Sequence, residues 1–376
     1  MTDTLLDLKS LHDFYVGVFS AMGVPKAHSR TCANGLLYAD RNNIRTHGAA
    51  SLDRLYLTML RDGAVDPRAT PEVIRAHGAT AVVDGGNGLG FVTAEFAMRL
   101  AVEKAGEHGI GAVAVRNSSH CGAMGYYSAL ARERGMIGLA STNLGAQGVL
   151  PPPGGRDRLL GTNVLAATAP AGTRAPFALD MSAAVVAAGR IRKARDDGER
   201  VPEGWLADGA GRPVTDPEAY FTGAATLRFV GGDPLTGAYK GLGLAMLADV
   251  LCGLLSGAAV GPNPANLAGG TPASRKDADI GHFMLAINVP AFRPAGDFTA
   301  AMDEMLRVLS ESTPVYPDEP VSYPGTPEHR NAELAARDGV RVSTEVLAEM
   351  YAVGAELGLL VPRLADAGVV TPGDSR

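Results

Sequence analysis

Leu5, Leu8, Leu11, Phe14, Tyr15 and Phe19 recur at three- and four-residue steps. Residues so spaced share one face of a helix, so the chain is expected to open with an amphipathic helix. A second helix is expected from Lys26 to Ala39, entered through Pro25, and a third from Ala49 to Leu60. Pro67 and Pro71 then break the pattern. Ala81-Val82-Val83-Asp84 predicts a strand, and Gly85-Gly86-Asn87-Gly88-Leu89-Gly90 turns the chain into a helix from Val92 to Glu107. A strand at Gly111–Val115, a polar turn, a helix from Ala123 to Arg134 and a strand at Met136–Ala140 follow. The order is strand–helix–strand–helix–strand.

The pattern changes after Asn143. Pro151-Pro152-Pro153-Gly154-Gly155 is a rigid loop. Strands are expected at Val164–Ala169 and Ala175–Asp180, and a helix from Ala183 to Ala194. Val201 to Pro217 reads as a hairpin or loop around Trp205. A long apolar helix, read as buried, runs from Gly241 to Ser256. Phe283–Ile287 predicts another strand, and helices are expected at Phe298–Ser310 and Ser343–Leu357. The Ala/Gly/Pro/Asp-rich tail beyond Arg363 is expected to be disordered.

Bulk properties narrow the function. A chain of 376 residues suggests two or three domains. The formal net charge of −6 and the absence of a Lys/Arg stripe argue against nucleic acid as a partner. Asp249 and several glycines interrupt the most apolar stretch, so no membrane span is expected. The acidic start lacks a signal pattern. Cys32, Cys121 and Cys252 are far apart and form no CxxC pair, so neither a disulfide framework nor a metal site is expected. A reducing cytoplasm is the natural setting.

The richest local chemistry is Asn117-Ser118-Ser119-His120-Cys121-Gly122, between a strand and a helix. An imidazole there can reach a cleft, and its ordinary pKa of about 6.5 suits proton transfer near neutrality. The alternative is a turn histidine that bonds backbone groups. Cys121 is no nucleophile partner for His120, because adjacent residues rarely face each other productively. Two glycine clusters fail as dinucleotide fingerprints. Gly86 to Gly90 is spaced GxGxG, and Gly109 to Ala114 precedes its strand instead of following it. No P-loop and no GxSxG elbow occur. Lys240 and Gly241, at the start of the apolar helix, suit either an anion such as a cofactor phosphate or a plain helix cap. Arg45-Thr46-His47-Gly48 offers a cation, a hydroxyl and an imidazole that could grip a carboxylate, and Thr46 would serve equally as a helix cap. Asn143, Thr162 and Asn163 place small polar groups beside apolar strands.

Taken in order, these segments resemble the type-2 malate/L-lactate dehydrogenase family. That family includes L-sulfolactate, ureidoglycolate and diketogulonate oxidoreductases and the Δ1-piperideine-2-carboxylate reductases. The resemblance runs from Ala39-Asp40-Arg41 and Thr46-His47-Gly48 through Asn117 to Gly122 and Gly161-Thr162-Asn163. It continues through Leu179-Asp180-Met181 and Tyr239-Lys240-Gly241-Leu242-Gly243 to Tyr323-Pro324-Gly325. It implies an α/β (α+β) fold: a helical N-terminal region packed with a mixed-sheet domain, plus a non-Rossmann, mostly antiparallel-sheet NAD(P)-binding domain. Residues 1–120 with 290–376 would form the substrate and dimerisation domain, and 121–289 the cofactor domain. The implied chemistry is hydride transfer between NAD or NADP and C2 of a small 2-oxo or 2-hydroxy carboxylate. Reduction of a cyclic 2-imino acid and a noncatalytic, cofactor-binding homologue are the alternatives. The resemblance also implies a homodimer.

By position, His120 is the expected proton donor and acceptor, with Thr46 and His47 beside it. Thr162, Asn163, Asp180, Met181, Ser182, Lys240, Gly241, Pro324 and Gly325 are the expected cofactor contacts. The substrate side departs from the family. Ser51 stands where an arginine is usual, and Arg45 where an acid is usual. Cys121 replaces an aromatic residue, and Leu144 a serine. Arg45, Ser51 and Asn143 are therefore the expected substrate-side residues, with Arg45 supplying the charge lost at Ser51.

Overall fold

The computed structural model describes residues 3–233, 235–264 and 278–365. The first two expected helices form, as α1 (Leu8–Ala21) and α2 (Lys26–Arg41). Asp7 caps α1 by accepting the Ser10 N–H, and Leu11, Phe14, Tyr15, Val18 and Phe19 face inward. The third is a composite: a 3₁₀ turn at Ala49–Ser51, a π-helical turn at Leu52–Leu57 and a short α3 at Thr58–Arg61. Such wide turns often mark functional positions. This one buries Tyr56 and leaves Arg54 exposed.

A seven-stranded sheet forms the centre. Its strands in chain order are β2 (Glu72–His77), β3 (Thr80–Asp84), β4 (Ile110–Ser118), β5 (Ile137–Thr142), β6 (Val164–Ala169), β7 (Phe177–Ser182) and β11 (Ile280–Ile287). The spatial order is β2-β3-β4-β11-β5-β6-β7. Only β3 and β4 are parallel, linked by the crossover helix α4 (Gly90–His108). Every other neighbour is antiparallel. The fold is mixed α/β, and β11 joins the mixed part of the sheet to its antiparallel part. Helix α5 (Gly125–Arg132) precedes β5.

Beyond β7 lie α6 (Ala188–Asp196), β8 (Leu206–Asp208), β9 (Pro213–Val214), α7 (Glu218–Phe221) and β10 (Ala225–Leu227). Strands β8 and β9 are the hairpin expected around Trp205. Helix α8 (Ala238–Ala248) continues into a π-helical turn at Asp249–Leu254. The chain closes with α9 (Ala295–Ser310), α10 (Thr326–Asp338), β12 (Val340–Ser343) and α11 (Thr344–Leu357). The N-terminal strand β1 (Asp3–Leu6) pairs antiparallel with β12.

Three apolar cores result. The first unites the N-terminal helices with the C-terminal segment: Leu6, Phe14, Phe19, Leu36, Tyr56 and Phe91 pack with Val340, Met350 and Val353. Each large side chain buried there stabilises the fold by about 1.5–3 kcal/mol. The second lies between the sheet, α4 and α5, around Val83, Met98, Val115, Tyr127 and Met284. The third gathers Leu150, Val186, Ile191, Leu206, Phe229 and Ala245.

Several expectations need correction. The helix expected from Ala183 starts only at Ala188, because Ala183 and Val185 are held by backbone bonds to Thr162 and Arg228. The apolar helix expected to be buried exposes Tyr239, Met246, Leu247, Val250, Leu254 and Leu255. Residues 366–376 of the tail expected to be disordered lie outside the described residues. No described helix is long and apolar enough to cross a membrane.

Candidate active site

Strand β4 ends in an irregularity that aims the histidine turn. Its register against β11 shifts between the pairs His282↔Val115 and Ile280↔Ser118, so β4 carries one extra residue. Asn117 takes a left-handed φ of 53°, which Asn tolerates better than most residues. It is held there by Asp279 Oδ1, which accepts its backbone N–H at 2.7 Å, and by its own amide donating to Asp84 Oδ1 at 2.9 Å. The chain then enters Ser118-Ser119-His120. The glycines that failed as a dinucleotide fingerprint serve this turn. A Cβ on Gly90 would stand 2.1 Å from Ser119 O and 2.7 Å from His120 O. Ser119 Oγ accepts the Gly90 N–H and donates to Gly88 O, each at 2.9 Å.

His120 meets the composite helix of the first core. Its Nδ1 lies 2.8 Å from the Tyr56 hydroxyl and 3.3 Å from the Gly122 nitrogen. Burial raises the Tyr56 pKa well above the ordinary phenol range, so Tyr56 stays a neutral phenol. The His47 ring stacks on His120, with centroids 5.6 Å apart and planes at 18°. Thr46 Oγ1 is 2.7 Å from His47 Nδ1. Burial, with help from the Arg54 cation, pushes the His47 pKa down to about 4. The Arg54 guanidinium is anchored around this loop: Nη2 donates to Thr46 O and to Ser51 Oγ, each at 3.3 Å, and Nε donates to Ala50 O.

Thr46, His47 and His120 are thus brought together with Ser51 against them, while the polar atoms of Arg45 and Asn143 are engaged elsewhere. Arg45 is exposed and pairs with Asp3 at 2.8 Å and Asn43 at 2.9 Å. Ser51 is buried and donates to Thr46 O at 2.6 Å. Asn143 is fully buried: it donates to Asp249 and Ala259 O and accepts from Gly145 and Gly281 N–H. Asn143 clamps strand ends and has no surface to offer a substrate. Sequence reasoning missed Tyr56 and Arg54. The one available signal was a tyrosine and an arginine on a segment already placed after His47.

The expected cofactor segments lie side by side, stitched by backbone bonds. Ala183 N–H donates to Thr162 O and Asn163 O at 2.8 Å, Val230 N–H to Ala183 O at 2.8 Å, and Gly241 N–H to Val230 O at 3.1 Å. Asp180 lies on β7, one oxygen accepting the Gly125 N–H at the start of α5 at 2.7 Å. The side chain stays solvent-exposed although protein atoms crowd it. That crowding raises its pKa to about 6. Met181 and Ser182 continue the strand, and Ala178 N–H bonds Pro324 O at 3.0 Å, bringing Pro324-Gly325 to the same edge. Asn163 is buried, its amide donating to Ala245 O at 2.8 Å. Lys240 is exposed at the start of α8. Helix α6 comes up against the histidine pair: a Cβ on Gly189 would stand 2.4 Å from Thr46 Cγ2.

His282 is also held neutral, its pKa pushed down by burial to about 3. For a base whose folded pKa is depressed, the unfolded chain binds more protons below pH 6.5, so stability is lost as pH falls toward the folded value. Asp40, raised by burial to about 6, has the opposite sign. A comparison of variants isolates the histidine. The stability advantage of wild type over His282→Gln should shrink by about 2 kcal/mol between pH 6.5 and pH 5. Urea midpoints at the two pH values check this.

Residues 6–351 match the family model described as malate/L-lactate dehydrogenase. The chain belongs to that family and is an oxidoreductase. It is 35% identical over 350 residues to a malate dehydrogenase of Pyrococcus abyssi, covering 93% of this chain and 94% of that one. A ureidoglycolate dehydrogenase (NAD(+)) of Escherichia coli is 28% identical, covering 90% and 92%. A (2R)-3-sulfolactate dehydrogenase (NADP(+)) of Chromohalobacter salexigens is 32% identical, covering 86% and 91%. The malate dehydrogenase structure from Entamoeba histolytica superposes with a TM-score of 0.88 at 28% identity, covering 96% of this chain and 100% of that one.

Proposed function

We propose that the chain moves hydride between a nicotinamide dinucleotide and C2 of a small 2-hydroxy or 2-oxo carboxylate, with His120 as acid and base. The Tyr56–His120–His47 arrangement carries this reading. Tyr56 and Gly122 occupy Nδ1, so proton exchange with the C2 oxygen falls to Nε2. In reduction that nitrogen gives a proton to the oxygen as charge builds there, and in oxidation it takes the hydroxyl proton. A bare Nε2 leaves the ring proton on Nδ1, so the Tyr56 hydroxyl accepts from Nδ1–H and orients the ring whether or not Nε2 is protonated. Neutral His47 spares His120 a like-charged neighbour.

The residues present fit a dinucleotide, whose nicotinamide, when bound, gives or takes the hydride. Asp180 offers a carboxylate oxygen to a ribose hydroxyl, and Lys240 a cation to a phosphate. Arg190 and Arg192 lie exposed on nearby α6 and would suit a 2′-phosphate. Both NAD and NADP suit this set, and fluorescence titrations with NADH and NADPH rank them. The relatives' names all describe anionic substrates. Arg54, anchored beside His47, is the cation we assign to the substrate carboxylate, in place of Arg45. Purified protein should oxidise a reduced dinucleotide with oxaloacetate, pyruvate or a sulfonated analogue. Turnover of Δ1-piperideine-2-carboxylate alone would transfer the assignment to imine reduction.

We further propose a cytoplasmic homodimer divided as the resemblance implies, 1–120 with 290–376 and 121–289. Three buried free thiols suit a reducing compartment. Tyr239, Met246, Val250 and Leu254, at steps of seven, four and four along one helix, form an exposed apolar strip suited to a second copy. Leu254 is 66% exposed, so Leu254→Glu should leave the fold intact and shift the light-scattering mass from dimer to monomer.

A further inference from the structure

We infer that His282 is a positioning residue for His120, locking the strand end from which the His120 turn springs. The inference rests on the acid–base reading given above. His282 is fully buried on β11, between β4 and β5. Its Nε2 lies 2.9 Å from Ser118 Oγ and its Nδ1 2.9 Å from Thr142 Oγ1.

The ring bridges two hydroxyls, and a hydroxyl can donate or accept, so both bonds are made whichever nitrogen of the neutral imidazole carries the proton. Each ring nitrogen has a partner, as a buried polar chain requires.

The lock stands where strand pairing is weakest. Between Val115 and Ser118 the β4–β11 ladder slips by one residue at the left-handed Asn117. Main chain in such a bulge lacks a regular ladder partner. Just past the bulge a side-chain bond from the facing strand fixes Ser118, and Ser119 and His120 follow immediately. The same ring holds Thr142 at the end of β5, so both strand ends are set against one another.

The test compares Ser118→Ala, His282→Leu and His282→Gln with His120→Ala and a control, Thr168→Ala. The control removes another buried hydroxyl of the same sheet, which donates to Ser128 O at 2.7 Å. In Ser118→Ala and His282→Leu, kcat should fall roughly 10- to 100-fold while KM for the dinucleotide stays within about twofold. His282→Gln, which can still meet Ser118, should recover part of the loss, and Thr168→Ala should keep kcat. A folded Ser118→Ala enzyme with wild-type kcat overturns the inference, even if His282→Leu fails to fold. Equal losses in Thr168→Ala also overturn it, because general destabilisation then explains the effect. Full activity in His120→Ala overturns the acid–base reading itself, a separate result.

Discussion

Replacing His120 with alanine should lower kcat about 10²- to 10⁴-fold, the usual worth of a positioned acid–base group. The affinity for NADH or NADPH should hardly change. The two effects separate because His120 stands on the β4–α5 turn, while the proposed dinucleotide contacts lie on β7, α8 and the loop before α10. Tyr56 keeps Nδ1 occupied, so an alanine also leaves a buried phenol without its partner. Some loss of stability is expected, about 1–3 kcal/mol for one unsatisfied polar group. Single-turnover measurements on folded protein distinguish the catalytic loss from that stability loss. A variant that turns over at the wild-type rate would remove His120 from the reaction.

Arg54→Met should raise KM for the carboxylate substrate roughly 10- to 100-fold, as expected for losing a charged hydrogen bond of about 1.5–3 kcal/mol. Methionine keeps most of the aliphatic length on the π-helical turn, so the change is chiefly one of charge. Arg45→Ala should leave KM near wild type, because that guanidinium sits on Asp3 and Asn43. The reverse result, a raised KM in Arg45→Ala alone, would restore the reading made from sequence and dismiss Arg54. A second signal accompanies the first. Removing the Arg54 cation should raise the His47 pKa from about 4, observable as a shifted imidazole titration by NMR.

The sequence exposed parts of this site because they depend on local order. Asn117, able to take a left-handed φ, precedes Ser118-Ser119-His120, and every step of that turn is encoded within a few residues. The helical periodicity of α1 was equally local. Tyr56 is 64 residues from His120, and their contact depends on how the first core packs against α4. Arg54 was hidden by its winding: a regular helix from Ala49 to Leu60 would point it elsewhere than a 3₁₀ turn followed by a π turn. Ser51 and Asn143 looked available because a sequence does not reveal which polar atoms are already spent. β2 was missed because all six of its residues are exposed, which erases the alternation that marks a strand. Helix α10 was missed for a similar reason, since only Ala335 in it is buried.

The pairing of β1 with β12 has a consequence for how the polypeptide is made. Asp3 and Ser343 face each other, so β1, once made, waits for a strand synthesised much later. Until then Phe14, Phe19 and Leu36 lack Met350 and Val353, and a nascent chain must keep that greasy surface from neighbours. Closing so long a loop is slow, so sequence-local pairs such as β2–β3 and β6–β7 are expected to form first and β1 and β12 to dock late.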